Sequence, residues 1–343
     1  MQISNKELKD ILKRVEKGLT KLGKKDSLSA LSTVQLKSSS EGVEITAHNN
    51  IDDYTPVSSI SVNTGISSDH EGEIYLKKQD IAKIKKLKGD FDIDFKENTI
   101  KSGAFKIEKT RIFEPYEIEI KNLKESPVIL SDEIKDNIHH VINVSDIKNP
   151  KWELNGVLLE NKGNNLNIVA TDTRMLSILN DDLKHEDFEV IPHKIPLENV
   201  NFKDVDFMLI SENHLVIKEK NITHTIGIIK GKFPMYERII PHENKVHIDL
   251  NKNDFNAAVK ECNIFGHDIT FENDEFTVYD DEENKIFYKH DFDFSDVNFT
   301  CNTALLNKAL TGDEKLSIEF NDSNIPFTVN SGALKSVIMP IVF

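Results

Sequence analysis

With 343 residues, 38% of them hydrophobic, and a net charge of −15, the chain is too long for one ordinary core and should divide into two or three units of about 100–150 residues each. No apolar run approaches the roughly 18 residues a membrane-spanning helix needs. The opening MQISNKELKD places no apolar stretch ahead of a cleavage site, and two cysteines, Cys262 and Cys301, are too few for a disulfide framework or a cysteine-rich zinc site. A reduced, cytoplasmic protein without a membrane role is expected.

The charge is unevenly spread. Residues 1–116 carry 20 Lys/Arg against 18 Asp/Glu, residues 117–242 carry 15 against 21, and residues 243–343 carry 8 against 19, so the net runs from +2 through −6 to −11. A phosphate responds mainly to charges within a Debye length, about 8–10 Å, so a local basic stripe matters more than the acidic total. The first predicted element supplies one. Leu8, Ile11, Leu12, Val15, Leu19 and Leu22 recur at helical spacing, Lys6, Lys9, Lys13, Lys17 and Lys21 fall on the opposite face, and Gly23 is a plausible stop before Lys24 and Lys25. A second basic helix is expected at 77–88 (KKQDIAKIKKLK), with six lysines against one aspartate and with Ile81, Ile84 and Leu87 as its apolar contacts. A single lysine stripe reads as a solvated helix face; two in one third of an acidic chain point to a polyanion.

The remainder reads mostly as short strands of period two, and a pattern recurs. Alternating apolar residues enter and leave a polar turn in FDIDFKENTI (91–100), DFMLISENHLVI (206–217) and KLSIEFNDSNIPFTV (315–329), with turn centres Glu97, Glu212 and Asp322 spaced 115 and 110 residues apart. A short helical stretch precedes each, at 81–90, 196–205 and 303–313. A strand running into a polar turn recurs at VEITAHNN (43–50), LNIVATDT (166–173) and FTVYDDEE (276–283). Helices at 131–142 and 251–265 answer the opening helix. The expected fold class is α+β: three similar domains, 1–116, 117–242 and 243–343, each with two helices and antiparallel strands. Pro115, Pro127 and Pro234 favour extended connections between them.

Catalytic motifs are sparse. No G-x-S-x-G, no Gly-rich phosphate loop and no H-E-x-x-H occurs. Asp92/Asp94, Asp291/Asp293 and the run Asp280–Glu283 read as wet strand faces and a solvated turn, Cys262 as core filler, and His139-His140 lacks a partner at ligand spacing. No catalytic residue, metal site or cofactor is expected.

Three segments resemble bacterial sliding clamps, the β subunit of the replicative DNA polymerase. They are Leu154–Glu160 (LNGVLLE) followed by Ile168–Asp172 (IVATD), Gly231–Pro241 (GKFPMYERIIP), and Val337–Phe343 (VIMPIVF). The resemblance implies clamp-type domains that close as a head-to-tail homodimer into a ring around double-stranded DNA, without reading its sequence. It implies a partner-peptide groove at Leu154, Thr171, Thr173, Arg174, Met175, Leu176, Pro234, Arg238, Ile239, Val337, Met339, Pro340 and Ile341. The occupants would be the polymerase catalytic subunit, the clamp loader and other proteins with a clamp-binding motif. DNA would face Lys9, Lys13, Lys17, Lys24, Lys25, Lys83, Lys86 and Trp152, although a lone tryptophan equally suits a core. Phe105 and Ile107 would meet Ile264 and Phe265 at the dimer seam. The sequence departs from the pattern at Thr173-Arg174-Met175-Leu176, where Gly-His-Arg-Leu is usual, and at Val342-Phe343, where a basic residue and Leu are common; a more apolar groove is the expectation. The alternatives are an open, non-ring nucleic-acid-binding scaffold and a carboxylate- or metal-dependent enzyme.

Overall fold

The computed structural model describes residues 1–19, 33–52, 55–109, 116–242, 244–280, 282 and 284–342. Lys24 and Lys25, with the expected helix end at Leu22 and Gly23, lie outside these residues.

The first third begins with β1 (Gln2–Ile3) and α1 (Asn5–Val15). The Ser4 hydroxyl accepts from the Glu7 amide, and Leu8, Leu12 and Val15 are buried. The helix tightens to one 3-10 turn at Glu16–Gly18, where Gly18 lies so close to Ile60 that a Cβ would collide with its side chain. β2 (Thr33–Ser39), β3 (Gly42–Asn49), β4 (Ser58–Asn63) and β5 (Gly72–Lys77) follow. Then comes α2 (Lys78–Ile84), whose Asp80 carboxylate accepts from the Lys77 amide. It is shorter than expected: Lys86 and Leu87 bond to Lys83 and Ile84 in 3-10 fashion before Gly89. β6 (Phe91–Asp94), β7 (Thr99–Ser102) and β8 (Phe105–Glu108) complete the third.

The same order recurs. The second third has α3 (Asp132–Ile142), β9 (Leu158–Lys162), β10 (Asn165–Thr171), β11 (Met175–Asp182), β12 (Phe188–Val190), α4 (Lys194–Leu197), β13 (Val205–Ile210), β14 (His214–Glu219) and β15 (Ile222–Gly227). The last third has β16 (Val246–Asn251), α5 (Lys252–Phe265), β17 (Asp268–Tyr279), β18 (Lys285–Asn302), α6 (Thr303–Ala309), β19 (Lys315–Phe320), β20 (Phe327–Ser331) and β21 (Leu334–Ile338). The three polar turn centres join β6–β7, β13–β14 and β19–β20, as the spacing of Glu97, Glu212 and Asp322 predicts.

Sheet order repeats too. β5-β2-β3-β4 is matched by β12-β9-β10-β11, and β1-β6-β7-β8 by β16-β19-β20-β21. Each large sheet takes strands from two consecutive thirds: β4 pairs antiparallel with β15, and β11 with β21. Compact units therefore follow the sheets. One comprises Met1–Ile129 and Ile195–Lys230, the other Leu130–Lys194 and Gly231–Phe343.

The core of the first unit includes Leu8, Leu12, Val15, Ile45, Ile81, Ile84, Phe91 and Ile93. In the second, Phe255 packs on Phe271 and Phe276 with ring centroids 6.2 and 6.1 Å away, and Phe299 stacks on Phe271 at 4.6 Å. Cys262 and Cys301 are buried there as free thiols, Cys262 serving as the expected core filler. Among the described residues no helix is long and apolar enough to cross a membrane.

Candidate functional site

In the first unit, the two lysine-rich helices share one core and are tied edge to edge. The Asn5 side-chain amide donates to the carbonyls of Leu87 and Gly89 at 3.0 and 2.8 Å, and Lys85 pairs with Glu16. Lys9 departs from the expected free stripe: it is half-buried, and its ammonium donates to the Leu87 carbonyl at 2.5 Å. Its charge fastens α1 to the turn after α2. Lys13, Lys17, Lys83 and Lys86 are exposed on these two joined helices and the turns that follow them, an arrangement suited to phosphates at variable positions along a duplex.

A network absent from the sequence expectations holds α1 from behind. Glu219 is 2% exposed on β14, and its carboxylate accepts from the Arg14 guanidinium, from His224 Nε2 at 2.9 Å and from the Asn201 amide at 3.0 Å. Burial alone would raise the pKa of this carboxylate, but the His224, Asn201 and Arg14 donors hold it below the ordinary carboxylate value. Nothing in the sequence marks residues 14, 219 and 224 as neighbours, because they meet only when β14 and β15 join the sheet of β4.

In the second unit, two of the segments expected to form the groove lie side by side. The β10–β11 turn runs Thr171–Met175, and the tail after β21 lies beside it. Met175 and Leu176 pair with Ile338 and Val337, the Met339 amide donates to the Arg174 carbonyl at 2.9 Å, and the Ile341 amide donates to the Thr300 carbonyl at 2.7 Å. The turn closes on itself. Thr171 Oγ1 donates to the Met175 carbonyl at 2.7 Å, and Asp172 Oδ1 accepts from the Arg174 and Met175 amides at 3.0 and 2.8 Å. Thr173, standing where glycine is usual in the resembling pattern, has φ +79°.

Burial sorts the expected groove residues into two sets. Leu154, Thr171, Met175, Leu176 and Val337 are buried; Thr173, Arg174, Pro234, Arg238, Ile239 and Met339 are exposed, with Pro340 and Ile341 between. Met175 is only 1% exposed, so its side chain belongs to the core, while Arg174 presents its charge at the surface. Met175→Arg would bury an unpaired cation and perturb folding before it altered peptide preference.

The segment 231–242 is more structured than an extended linker. It carries a 3-10 turn at Tyr236–Ile239, which sets Arg238 and Ile239 outward while Tyr236 points into the core. The Tyr236 hydroxyl donates to Glu160 Oε2 at 3.2 Å, and the Phe233 ring meets Tyr236 edge to face at 6.5 Å. Gly231 packs against Trp152 and Glu153, with no room for a Cβ beside the Glu153 side chain. Trp152 is 42% exposed on a 3-10 turn, Trp152–Asn155, so it is not a core residue.

The expected seam residues are at the surface. Phe105 on β8 is 64% exposed and Ile107 half-buried, while Ile264 at the end of α5 is 77% exposed and Phe265 also stands out. β8 is an edge strand. Tyr279 and Phe287, which the sequence did not single out, are exposed aromatics on β17 and β18. Two of the acidic residues singled out in the sequence serve local turns: Asp94 Oδ1 accepts from the Lys96 and Glu97 amides at 3.0 Å, and Asp280 Oδ1 from the Glu282 and Asn284 amides at 3.0 and 2.8 Å.

No family model matches the chain. In sequence it is 24% identical over 192 residues to the beta sliding clamp of Buchnera aphidicola subsp. Acyrthosiphon pisum, covering 52% of each chain. It is 33% identical over 98 residues to that of Haemophilus influenzae, covering 26% of this chain and 27% of the relative. The chain thus spans about half the length of the first of these relatives (52%). In structure it is similar to the DNA polymerase beta subunit of Streptococcus pyogenes, with TM-score 0.84, 17% identity, and 100% and 99% of the two chains covered. It is likewise similar to the Helicobacter pylori beta clamp bound to a DNA ligase peptide, with TM-score 0.80, 22% identity and the same coverage. The chain has the sliding-clamp fold over its whole length.

Proposed function

We propose that this chain, which has the fold of bacterial beta sliding clamps and resembles them in sequence, is a non-catalytic processivity clamp: a cytoplasmic homodimeric ring that encircles duplex DNA and holds replication proteins on it. Its three domains would be bounded near residues 116 and 242. Exposed Lys13, Lys17, Lys83 and Lys86 would meet phosphates. Lysine contacts to phosphate carry no sequence information, which suits a protein that must move along DNA. Topology, rather than affinity, would retain the DNA, and the acidic remainder of the chain would discourage binding outside the ring.

The observation that carries this proposal is the way the repeat ends. β15 joins β4 and β21 joins β11, so the last strand of each later repeat completes the sheet of the repeat before it. The last strand of the first repeat, β8, pairs with β7 alone and lies at the edge of its sheet. The start of β18 follows the polar turn after β17 as β4 and β11 follow theirs. A second copy related head to tail would satisfy β8 with β18, placing exposed Phe105 and Ile107 against Ile264 and Phe265. The +2 and −11 thirds would then meet, which favours this docking over like-to-like association. The groove of the second unit, apolar beneath and rimmed by Arg174 and Arg238, would take short hydrophobic peptides of the polymerase catalytic subunit, the clamp loader and other partners.

Retention on DNA tests the proposal. After loading, the protein should stay on a closed circle and leave when the circle is cut, and its sedimentation mass should be near twice 39.1 kDa. Equal release from circular and linear DNA would favour an open nucleic-acid-binding scaffold instead. Alanine at Asp92, Asp94 and Asp280 should leave retention intact; its loss would revive a carboxylate-dependent activity.

A further inference from the structure

Glu160 lies on β9, 4% exposed, inside the unit that carries the groove. A carboxylate at such a site needs donors, because a buried unpaired charge is costly. It receives two that differ in kind. Lys162, mostly exposed on the same strand, pairs with one oxygen, and the Tyr236 hydroxyl donates to the other at 3.2 Å. Glu189 stands directly across from Glu160 in the β9–β12 ladder, and Glu237 follows Tyr236, so the surroundings are otherwise acidic. Burial and these carboxylates raise the Tyr236 hydroxyl above its ordinary value, so it remains a donor throughout the physiological range.

Tyr236 is the only buried residue of its 3-10 turn; Glu237, Arg238 and Ile239 all face outward. A four-residue turn of this type has little helical stability of its own. Its position is therefore set by what its one inward side chain grips and by the chain entering it. Phe233 packs edge to face against the Tyr236 ring, and Gly231 lies against Trp152 and Glu153. The Phe233 contact holds one edge of the Tyr236 ring, and the hydroxyl–carboxylate bond holds its far end. Arg238 and Ile239 follow directly on this anchored residue and face outward.

We infer that Glu160 and Tyr236 are positioning residues of the peptide groove, which tune peptide affinity by holding the Tyr236–Ile239 turn without touching the peptide. The inference rests on the groove proposed above and adds two residues to it. A peptide binding to a turn already held in place loses less conformational freedom than one that must order the turn as it binds.

The test uses the full chain and a fluorescent copy of the DNA ligase peptide that the Helicobacter pylori clamp binds. Tyr236→Phe removes one hydroxyl and should weaken peptide binding about fivefold to tenfold, through faster dissociation, with the circular dichroism spectrum unchanged. Glu160→Gln, which keeps an acceptor oxygen, should stay within about twofold of the parent, while Glu160→Leu should match Tyr236→Phe. The double variant Tyr236→Phe/Glu160→Leu should be no weaker than the weaker single variant, because both remove the same bond. Tyr236→Phe needs no burial of new atoms, so it remains informative if Glu160→Leu fails to fold. Unchanged affinity in Tyr236→Phe, or additive losses in the double variant, would overturn the positioning role while leaving the groove standing. A parent chain that does not bind the peptide at all would overturn the groove, and the positioning role with it.

Discussion

Thr173→Gly offers a quantitative test of the β10–β11 turn. Five described non-glycine residues have positive φ: Asn98, Asn122, Asn164, Lys220 and Thr173, of which Thr173 alone is β-branched. Asparagine visits this region at modest cost, whereas a branched side chain crowds its own carbonyl. Holding an L-residue there costs about 1–2 kcal/mol. Glycine removes that strain but gains freedom in the unfolded chain, which returns about 0.4–1 kcal/mol. The net expectation is that Thr173→Gly stabilises the hairpin by about 0.5–1 kcal/mol. The bonds closing the turn do not use the Thr173 side chain. The Thr173 amide donates to Thr171 Oγ1 at 3.0 Å, and the Arg174 and Met175 amides donate to Asp172, so all of them survive the substitution. Amide hydrogen exchange across β10 and β11 reads the effect directly: protection should rise about twofold to fivefold, with a matching rise in the urea midpoint of the unit. Thr173→Ala keeps the positive φ on an L-residue and should show little of the gain. An equal gain in Thr173→Ala, or slower folding-back and lower protection in Thr173→Gly, would refute the strain account.

Three further outcomes are expected. Glu219→Gln leaves Arg14, His224 and the Asn201 amide facing a neutral side chain with one acceptor oxygen, and should lower stability by about 2–4 kcal/mol in urea unfolding; a loss below about 0.5 kcal/mol would show that the network is dispensable. Acid should destabilise the first unit, because burial pushes His48 down to about 4 and lowers His214 as well. A histidine held neutral contributes stability that is present above its unfolded value of about 6.5 and is lost as pH falls toward the folded value. His48 alone should then account for about 2 kcal/mol between pH 7.5 and pH 5, a window above that in which Glu219 protonates, and His48→Gln should flatten the urea midpoint over it. Phe265→Lys should halve the sedimentation mass while leaving the circular dichroism spectrum unchanged; an intact dimer would remove Phe265 from the seam.

Much of this protein is written locally in its chain. Period-two stretches around Glu97, Glu212 and Asp322, and the helical spacing of Leu8, Leu12, Val15, Ile81 and Ile84, determine element type and the threefold repeat, since those signals depend only on neighbours a few residues away. The exposed lysines of α1 and α2 follow from the same spacing. Tertiary structure decided what depends on partners distant in sequence. Lys9 belongs to the same stripe as Lys13, yet the Leu87 carbonyl claims its ammonium. Met175 matches a groove position, yet pairing of β11 with β21 turns it into the core. Glu160 and Glu219 look like ordinary strand carboxylates until Tyr236, Arg14 and His224 arrive from elsewhere. A period shows which face of an element avoids water; only the assembled sheets specify what that face meets, because burial and hydrogen bonding are satisfied between segments that the sequence holds far apart.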